Sequence, residues 1–258
     1  MKRLVTGLIL GVVFSYIILW GPPWAFAAAL VAAALLSYYE YANIAAAYGL
    51  ERFHLAPYAM GLVVLAAPRD AALLVLLALA PLVLALRAGD LSKALPSAAA
   101  AVLGVVYIFG SWRTALELRQ IGPWWLFFAL TLNWVGDTAA YYGGRAFGRH
   151  KLAPRISPGK TWEGAAFSLA GSLAFGLVYA HWLLPSTTWP VAAALTVAGN
   201  LAGQMGDLVE SAMKRGAGVK DSGTILPGHG GWLDRVDASL FCMPVMYCLL
   251  AYVFAGTR

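Results

Sequence analysis

Between Ser211 and Asp237 the chain reads SAMKRGAGVKDSGTILPGHGGWLDRVD, with three Asp, two Lys, two Arg and one His gathered between very apolar segments. Charged residues are only 12% of the whole sequence, so this concentration needs a chemical reason. Carboxylates are hard oxygen ligands for Mg²⁺, which typically takes one or two of them and leaves other positions for substrate phosphates. Lysine and arginine neutralise those phosphates, arginine as a bidentate fork and lysine as a point charge. Asp221, Asp234 and Asp237 beside Lys214, Arg215, Lys220 and Arg235 therefore point to chemistry on an anionic, phosphate-rich substrate. Pro227-Gly228-His229-Gly230-Gly231 reads as a tight turn that lets backbone approach a ligand and presents His229. Asp234 and Asp237, three apart, share a face if they lie on a helix. The competing reading of that pair is a charged helix start with Asp near the N-terminal dipole.

The elements that must position these groups are membrane helices. Hydrophobic residues are 61% of 258, against roughly 45–50% in soluble domains, and they come in long runs. A bilayer core needs about 20 apolar residues per helix. Nine candidate spans begin near Leu4, Pro23, Pro57, Ala71, Leu95, Pro123, Trp162, Trp189 and Ser239, the one after Pro57 being short. The expected fold is an all-α, polytopic integral membrane protein. Leu4 to Trp20, behind Lys2 and Arg3 and ahead of Ala25-Phe26-Ala27, has the outline of a cleavable leader. The apolar run continues with no soluble segment after it, so we read a retained helix.

The formal charge of +6 would suggest nucleic acid for a soluble protein, but here loop asymmetry accounts for it and no nucleic-acid partner is expected. With the N-terminus inside, Arg69, Arg113, Arg119 and Arg258 fall outside, and the other 14 of the 18 Lys and Arg fall on the cytoplasmic side. Arg113 and Arg119 share one outside loop and run against the rule. Both charge-dense loops, 143–161 and 205–238, land in the cytoplasm, where nucleotides are. Residues 1–122 read as scaffold helices and 123–258 as the catalytic region. Within the scaffold, Glu40 in SYYEYANIAAAYG stands at or near a membrane boundary. Either its helix continues into water, or Glu40 belongs to a pocket or subunit contact. Cys242 and Cys248 lie on different faces of the last helix, as packing or lipid-facing residues.

From Asn133 onward polar residues enter the apolar spans at helical spacing. Asn133, Asp137 and Tyr141 line one side of a helix; Asn200, Gln204, Asp207, Ser211 and Lys214 form a stripe on another, with Glu210 beside it. Polar groups at membrane depth are expensive unless they face a cavity or one another, so the stripe implies a polar cavity opening to the cytoplasm. Pro158-Gly159-Lys160-Thr161 ends like a P-loop, but Pro154 stands where its first glycine belongs and the surroundings are membrane helices. A zinc pattern and a Ser-His-Asp arrangement are likewise missing. A transporter would also carry polar residues inside apolar helices, but it explains the long charged loop poorly.

The spacing of Ser211, Lys214, Arg215, Lys220, Asp221, His229, Gly230, Gly231, Asp234, Arg235 and Asp237 resembles the signature of the phosphatidate cytidylyltransferases. A second stretch, Asp137, Tyr141, Gly144, Arg145, Phe147, Gly148, Lys151, Leu152, Pro154, Ser157, Pro158, Lys160, Thr161, Glu163 and Gly164, is similar to the same family. Trp232 departs from the aliphatic residue more usual at its position. The resemblance covers the second half of the chain. It implies transfer of a cytidylyl group from CTP to phosphatidic acid, giving CDP-diacylglycerol and pyrophosphate, at the cytoplasmic face of a bacterial inner membrane. It also implies Mg²⁺ as cofactor, with room for a second cation. Asp221 and Asp234 are then the first metal ligands, with Asp207 and Asp237 as further ones. Lys214, Arg215, Lys220 and Arg235 hold the triphosphate and lipid phosphate, and His229 binds or orients pyrophosphate. Ser157, Lys160 and Thr161 form another wall, and Asp137, Tyr141, Arg145, Asn200, Gln204, Ser211, Gly230 and Gly231 line the substrates. A CTP-dependent lipid-alcohol kinase and an isoprenoid-phosphate cytidylyltransferase are the related alternatives. CTP, phosphatidic acid and the lipid bilayer are the expected partners, and the plain N-terminal helices are left, by elimination, to form a homodimer.

Overall fold

Apolar runs become helices here, and prolines mark where several of them begin. The computed structural model describes residues 2–67, 70–87, 89–225 and 230–254, with side chains from Gly11 onward. His229 of the turn, and Arg69 and Arg258 of the loop-charge count, lie outside the described residues. The helices are α1 (Lys2–Leu19), α2 (Pro23–Ala47), α3 (Ala56–Ala66), α4 (Ala71–Ala85), α5 (Ala94–Gly104), α6 (Ser111–Ile121), α7 (Pro123–Phe147), α8 (Trp162–Leu183), α9 (Trp189–Gly216) and α10 (Leu233–Cys248). Pro23, Pro57 and Pro123 sit in the first turns of α2, α3 and α7, where a missing N–H costs nothing and a fixed φ suits the helix. Asp70 caps α4 by accepting from the amides of Ala72 (2.7 Å) and Leu73 (3.1 Å).

Each of the nine expected runs holds a helix. Among the described residues, four helices are long and apolar enough to cross a membrane: Pro23–Ala47, Leu91–Ile121, Trp162–Leu183 and Leu233–Val253. Leu91–Ile121 joins α5 to α6 through a π-helical stretch, Val105–Gly110. The apolar α3 and α4 are shorter, at 11 and 15 residues. The all-α expectation meets one exception, an antiparallel hairpin of β1 (Lys151–Ala153) and β2 (Ser157–Thr161). α7 stops at Phe147 with Gly148 already extended, and the polar segment before α8 pairs with itself, Lys151 opposite Thr161 and Ala153 opposite Ser157.

The chain divides into two compact units. The first comprises Met1–Pro23, Thr114–Ala212 and Val236–Arg258. There α7, α8, α9 and α10 meet through side-chain hydrogen bonds as well as apolar packing. Phe128 of α7 stacks on Tyr179 of α8, ring centroids 4.9 Å apart, and the Tyr179 hydroxyl donates to the Trp124 carbonyl (2.8 Å). Asn200 of α9, 2% exposed, donates to the hydroxyls of Ser168 and Ser172 on α8 (2.9 Å each) and accepts from Gln204 (2.7 Å). The Cys242 thiol of α10, buried, lies 3.4 Å from the Ala129 carbonyl of α7. Arg119 donates to the carbonyls of Ile18 (2.9 Å) and Gly21 (2.5 Å), which the end of α1 leaves without helical partners.

The second unit comprises Trp24–Arg113 and Met213–Arg235. Its core is aromatic: Tyr38 of α2 lies 4.9 Å from Tyr58 and 5.4 Å from Phe109, centroid to centroid. Arg113 donates to the carbonyls of Val64, Leu65 and Ala67 (3.1, 2.8 and 2.6 Å) at the end of α3. The two arginines that run against the loop-charge rule thus both terminate helices, where a cation also meets the negative end of the helix dipole.

Asn200→Ala would leave the Ser168 and Ser172 hydroxyls and the Gln204 amide short of a buried partner. Detergent unfolding is expected to show a loss of about 1–2 kcal/mol relative to wild type.

Candidate functional site

The residues singled out for chemistry fall into two clusters, one in each unit. In the first unit the hairpin presents Lys160. Side chains alternate along a strand, so Lys160 leaves β2 on the face opposite Thr161. Thr161 is buried and caps α8, its hydroxyl accepting from the Gly164 amide at 3.0 Å. Lys160 Nζ meets Asp207 Oδ2 of α9 at 2.6 Å, and the Ser211 hydroxyl, one turn along, donates to Asp207 Oδ1 at 3.2 Å. Asp137 of α7 is exposed and within electrostatic reach of both Asp207 and Lys160. Farther along α7 Arg145 donates to the Tyr141 hydroxyl at 3.2 Å.

Glu163, in the first turn of α8, fixes the base of this hairpin. Its carboxylate accepts from the amides of Arg149 (3.1 Å) and His150 (3.2 Å) and lies 2.6 Å from His150 Nδ1. With Trp162 donating to the His150 carbonyl at 2.9 Å, the loop is held where Lys160 reaches α9. The upper stripe on α9 has a different use, since Asn200 and Gln204 bind α8, with Gln204 also reaching the Ala165 carbonyl at 3.4 Å. Ser157 is half-buried on β2, and Asp237, on α10, accepts from the Ala238 amide at 2.7 Å.

In the second unit the centre is Asp234, in the first turn of α10. Its Oδ1 pairs with Lys214 Nζ at the end of α9, and each side chain is 10% exposed. Its Oδ2 accepts from the amides of Ser222 (3.1 Å) and Gly231 (2.8 Å). One carboxylate therefore gathers the end of one helix, the start of another and a loop residue. Gly230 has φ +81°, a backbone region that L side chains rarely adopt. A methyl on Gly230 would lie 3.2 Å from Asp234 Oδ2 and 3.8 Å from Asp221 Oδ1, so both aspartates border this glycine. Asp221, Arg215, Lys220 and Arg235 are exposed, and Arg215 donates to the Val219 carbonyl at 3.1 Å.

Glu40, which the sequence left between two readings, is the residue whose role the structure changes most. It is fully buried on α2, so the reading of a helix running on into water is overturned. Its Oε1 accepts from the Trp232 amide (3.0 Å), and its Oε2 accepts from the Leu233 amide (2.7 Å) and the Ser222 hydroxyl (2.7 Å). Free amides at a helix start need acceptors, and here another helix supplies the carboxylate. Gly231 is required at this approach, because a methyl there would come 2.5 Å from Glu40 Oε2. Trp232, the departure from the expected aliphatic residue, uses its indole N–H to bond the Ala33 carbonyl and the Ser37 hydroxyl (3.1 Å each). The sequence signal for Glu40 was its isolation in an apolar helix.

Among the described residues, no three His, Cys, Asp or Glu side chains gather as a metal cage. Asp221 and Asp234 both border Gly230, and Asp234 is already met by Lys214 and by the amides of Ser222 and Gly231, which leaves exposed Asp221 as the more open carboxylate of the two.

The chain is 41% identical over 152 residues to a phosphatidate cytidylyltransferase of Bacillus subtilis (strain 168), covering 58% of this chain and 56% of that protein. It is 41% identical over 156 residues to one of Staphylococcus saprophyticus, covering 60% of each, and 41% identical over 153 residues to one of Staphylococcus aureus (strain COL), covering 59% of each. The chain thus spans somewhat more than half the length of the curated relatives it matches. A model of the cytidylyltransferase family matches residues 1–253, and the chain belongs to that family.

Proposed function

We propose that this protein transfers the cytidylyl group of CTP to the phosphate of phosphatidic acid, forming CDP-diacylglycerol and releasing pyrophosphate. The observation that carries this reading is the Lys214–Asp234 centre, a buried ion pair that gathers the signature loop beside exposed Asp221, Lys220 and Arg235. Family membership and the similarity to phosphatidate cytidylyltransferases support it. One reactant is soluble and the other lies in the bilayer, and both are anionic. A cationic site at the membrane surface is what such a pair requires.

A lipid phosphate oxygen attacks the α-phosphorus of CTP. The new P–O bond replaces the bond to the bridging oxygen, and pyrophosphate leaves with that bond's electron pair. A phosphate monoester is largely ionised near neutral pH, so the nucleophile needs no strong general base. Positioning and charge neutralisation supply most of the catalysis. Arg215, Lys220 and Arg235 meet phosphate oxygens in the second unit, with Lys214 holding Asp234. Lys160, set by Asp207 and Ser211, offers a further cation in the first unit, with Ser157 and Thr161 shaping its strand. Mg²⁺, held by Asp221 and Asp234, would supply further neutralisation of triphosphate charge and polarise the α-phosphorus when bound. Asp207 and Asp237 are further ligand candidates, including for a second cation, and His229 is assigned to pyrophosphate.

The same proposal includes nine membrane-crossing segments and a polar cavity along α9 open to the cytoplasm. It places the protein in a bacterial inner membrane, with residues 123–258 carrying the chemistry on a 1–122 scaffold. A homodimer through the N-terminal helices completes it.

Purified protein in detergent with phosphatidic acid, Mg²⁺ and CTP labelled at the α-phosphate should move label into the lipid phase with equimolar pyrophosphate. Lipid labelling from γ-labelled CTP with release of CDP would instead identify a kinase. In the same assay Asp221→Asn and Asp234→Asn are expected to lower kcat on the order of 100-fold. Wild-type turnover of either variant at saturating Mg²⁺ would remove that residue from the metal assignment. The Lys214–Asp234 pair can be tested apart from catalysis. Lys214→Met should destabilise by about 3 kcal/mol, because it strands a buried carboxylate. Adding Asp234→Asn should cost less than the sum of the single changes, read by denaturant unfolding of all four proteins in a double-mutant cycle.

A further inference from the structure

We propose that Glu40 is a positioning residue for this reaction, holding the two sides of the signature loop so that Asp234 and Lys214 keep their places. The inference rests on the cytidylyl-transfer reading for the identity of the reaction, and on the geometry of the second unit for everything else. Glu40 lies 182 residues before Ser222 and 193 before Leu233, on a helix otherwise composed of scaffold. A carboxylate with no exposed surface is tolerated only where donors meet it. Its donors come from both sides of the loop, the Ser222 hydroxyl from one and the Trp232 and Leu233 amides from the other.

The same backbone serves Asp234. Ser222 gives its hydroxyl to Glu40 and its amide to Asp234, while accepting from the Asp234 amide at 3.3 Å. Gly231 donates to Asp234, and the next two residues donate to Glu40. Two carboxylates thus share one short scaffold, Ser222 and residues 231–233, from opposite roles. Asp234 takes up Lys214, and Glu40 acts through the scaffold alone. Glu40→Gln keeps the shape but replaces one acceptor with an N–H₂ group, which cannot receive an amide or hydroxyl proton.

Three measurements on wild type and Glu40→Gln test this. The first is amide exchange without substrate, followed by mass spectrometry, at Ser222, Trp232 and Leu233. The second is kcat per folded molecule, and the third is the Mg²⁺ concentration for half-activation. Expected are faster exchange confined to these loop amides, a kcat lower by about tenfold or more, and a raised Mg²⁺ midpoint. A merely structural defect would lower the folded fraction and leave the Mg²⁺ midpoint of the remaining enzyme unchanged. Unchanged exchange, or wild-type kcat and Mg²⁺ midpoint per folded molecule, would overturn the proposal. If Glu40→Gln does not fold, Ser222→Ala, which removes one link and leaves Glu40 in place, is judged by the same three readings. If wild type moves no α-label into lipid, the reaction assignment fails, and the exchange data alone decide whether Glu40 holds the loop.

Discussion

A carboxylate removed from water must be met by donors from the protein, and the signature loop is organised around this requirement. Glu40 and Asp234 are both withdrawn from solvent, and between them they collect amides, a hydroxyl and an ammonium from separate stretches of chain. Neither could remain buried without those donors. At Ser222 and residues 231–233 the backbone is fixed by which amides point at which oxygens, with Gly230 and Gly231 supplying the backbone freedom and clearance.

The first unit solves a related problem by a different route. Its polar side chains divide along the length of α9. Asn200 and Gln204 close on α8, where an unpaired amide would be costly, while Asp207 and Ser211 meet the hairpin lysine. One periodic stripe therefore serves helix association at one end and charge placement at the other. Glu163 and Thr161 make this possible by fixing where the hairpin leaves and re-enters the helical frame.

Helix positions were legible because long apolar runs and first-turn prolines act locally. Pro23, Pro57 and Pro123 mark real starts, and the signature spacing pointed to the residues around Asp234. The hairpin was not legible, since three- and five-residue strands in a polar segment carry almost no periodic signal. Glu40 was ambiguous for a deeper reason. A lone acidic residue near a membrane boundary can face water or a buried donor, and only the far partner decides between them. Arg113 and Arg119 posed the same difficulty. By sequence they are loop charges, but the carbonyls they meet belong to the ends of other helices. The stripe on α9 was read correctly as one face, while the division of its members between packing and the hairpin depends on neighbours that no local pattern specifies.

The distance along the chain between Glu40 and its partners bears on how the protein is made. Synthesis runs from the N-terminus, so α2 exists long before Trp232 and Leu233 are available to it. Until then its buried carboxylate has no loop to hold, and the Lys214 ammonium has no Asp234. Contacts of this sequence separation cannot form until the later partner has been synthesised. The charged loop is consequently among the last parts of the second unit to take shape. A chain cut short before α10 would keep most of its hydrophobic helices and yet leave Lys214 without its carboxylate and Glu40 without the Leu233 amide, so the order of this segment depends on a helix that is made last.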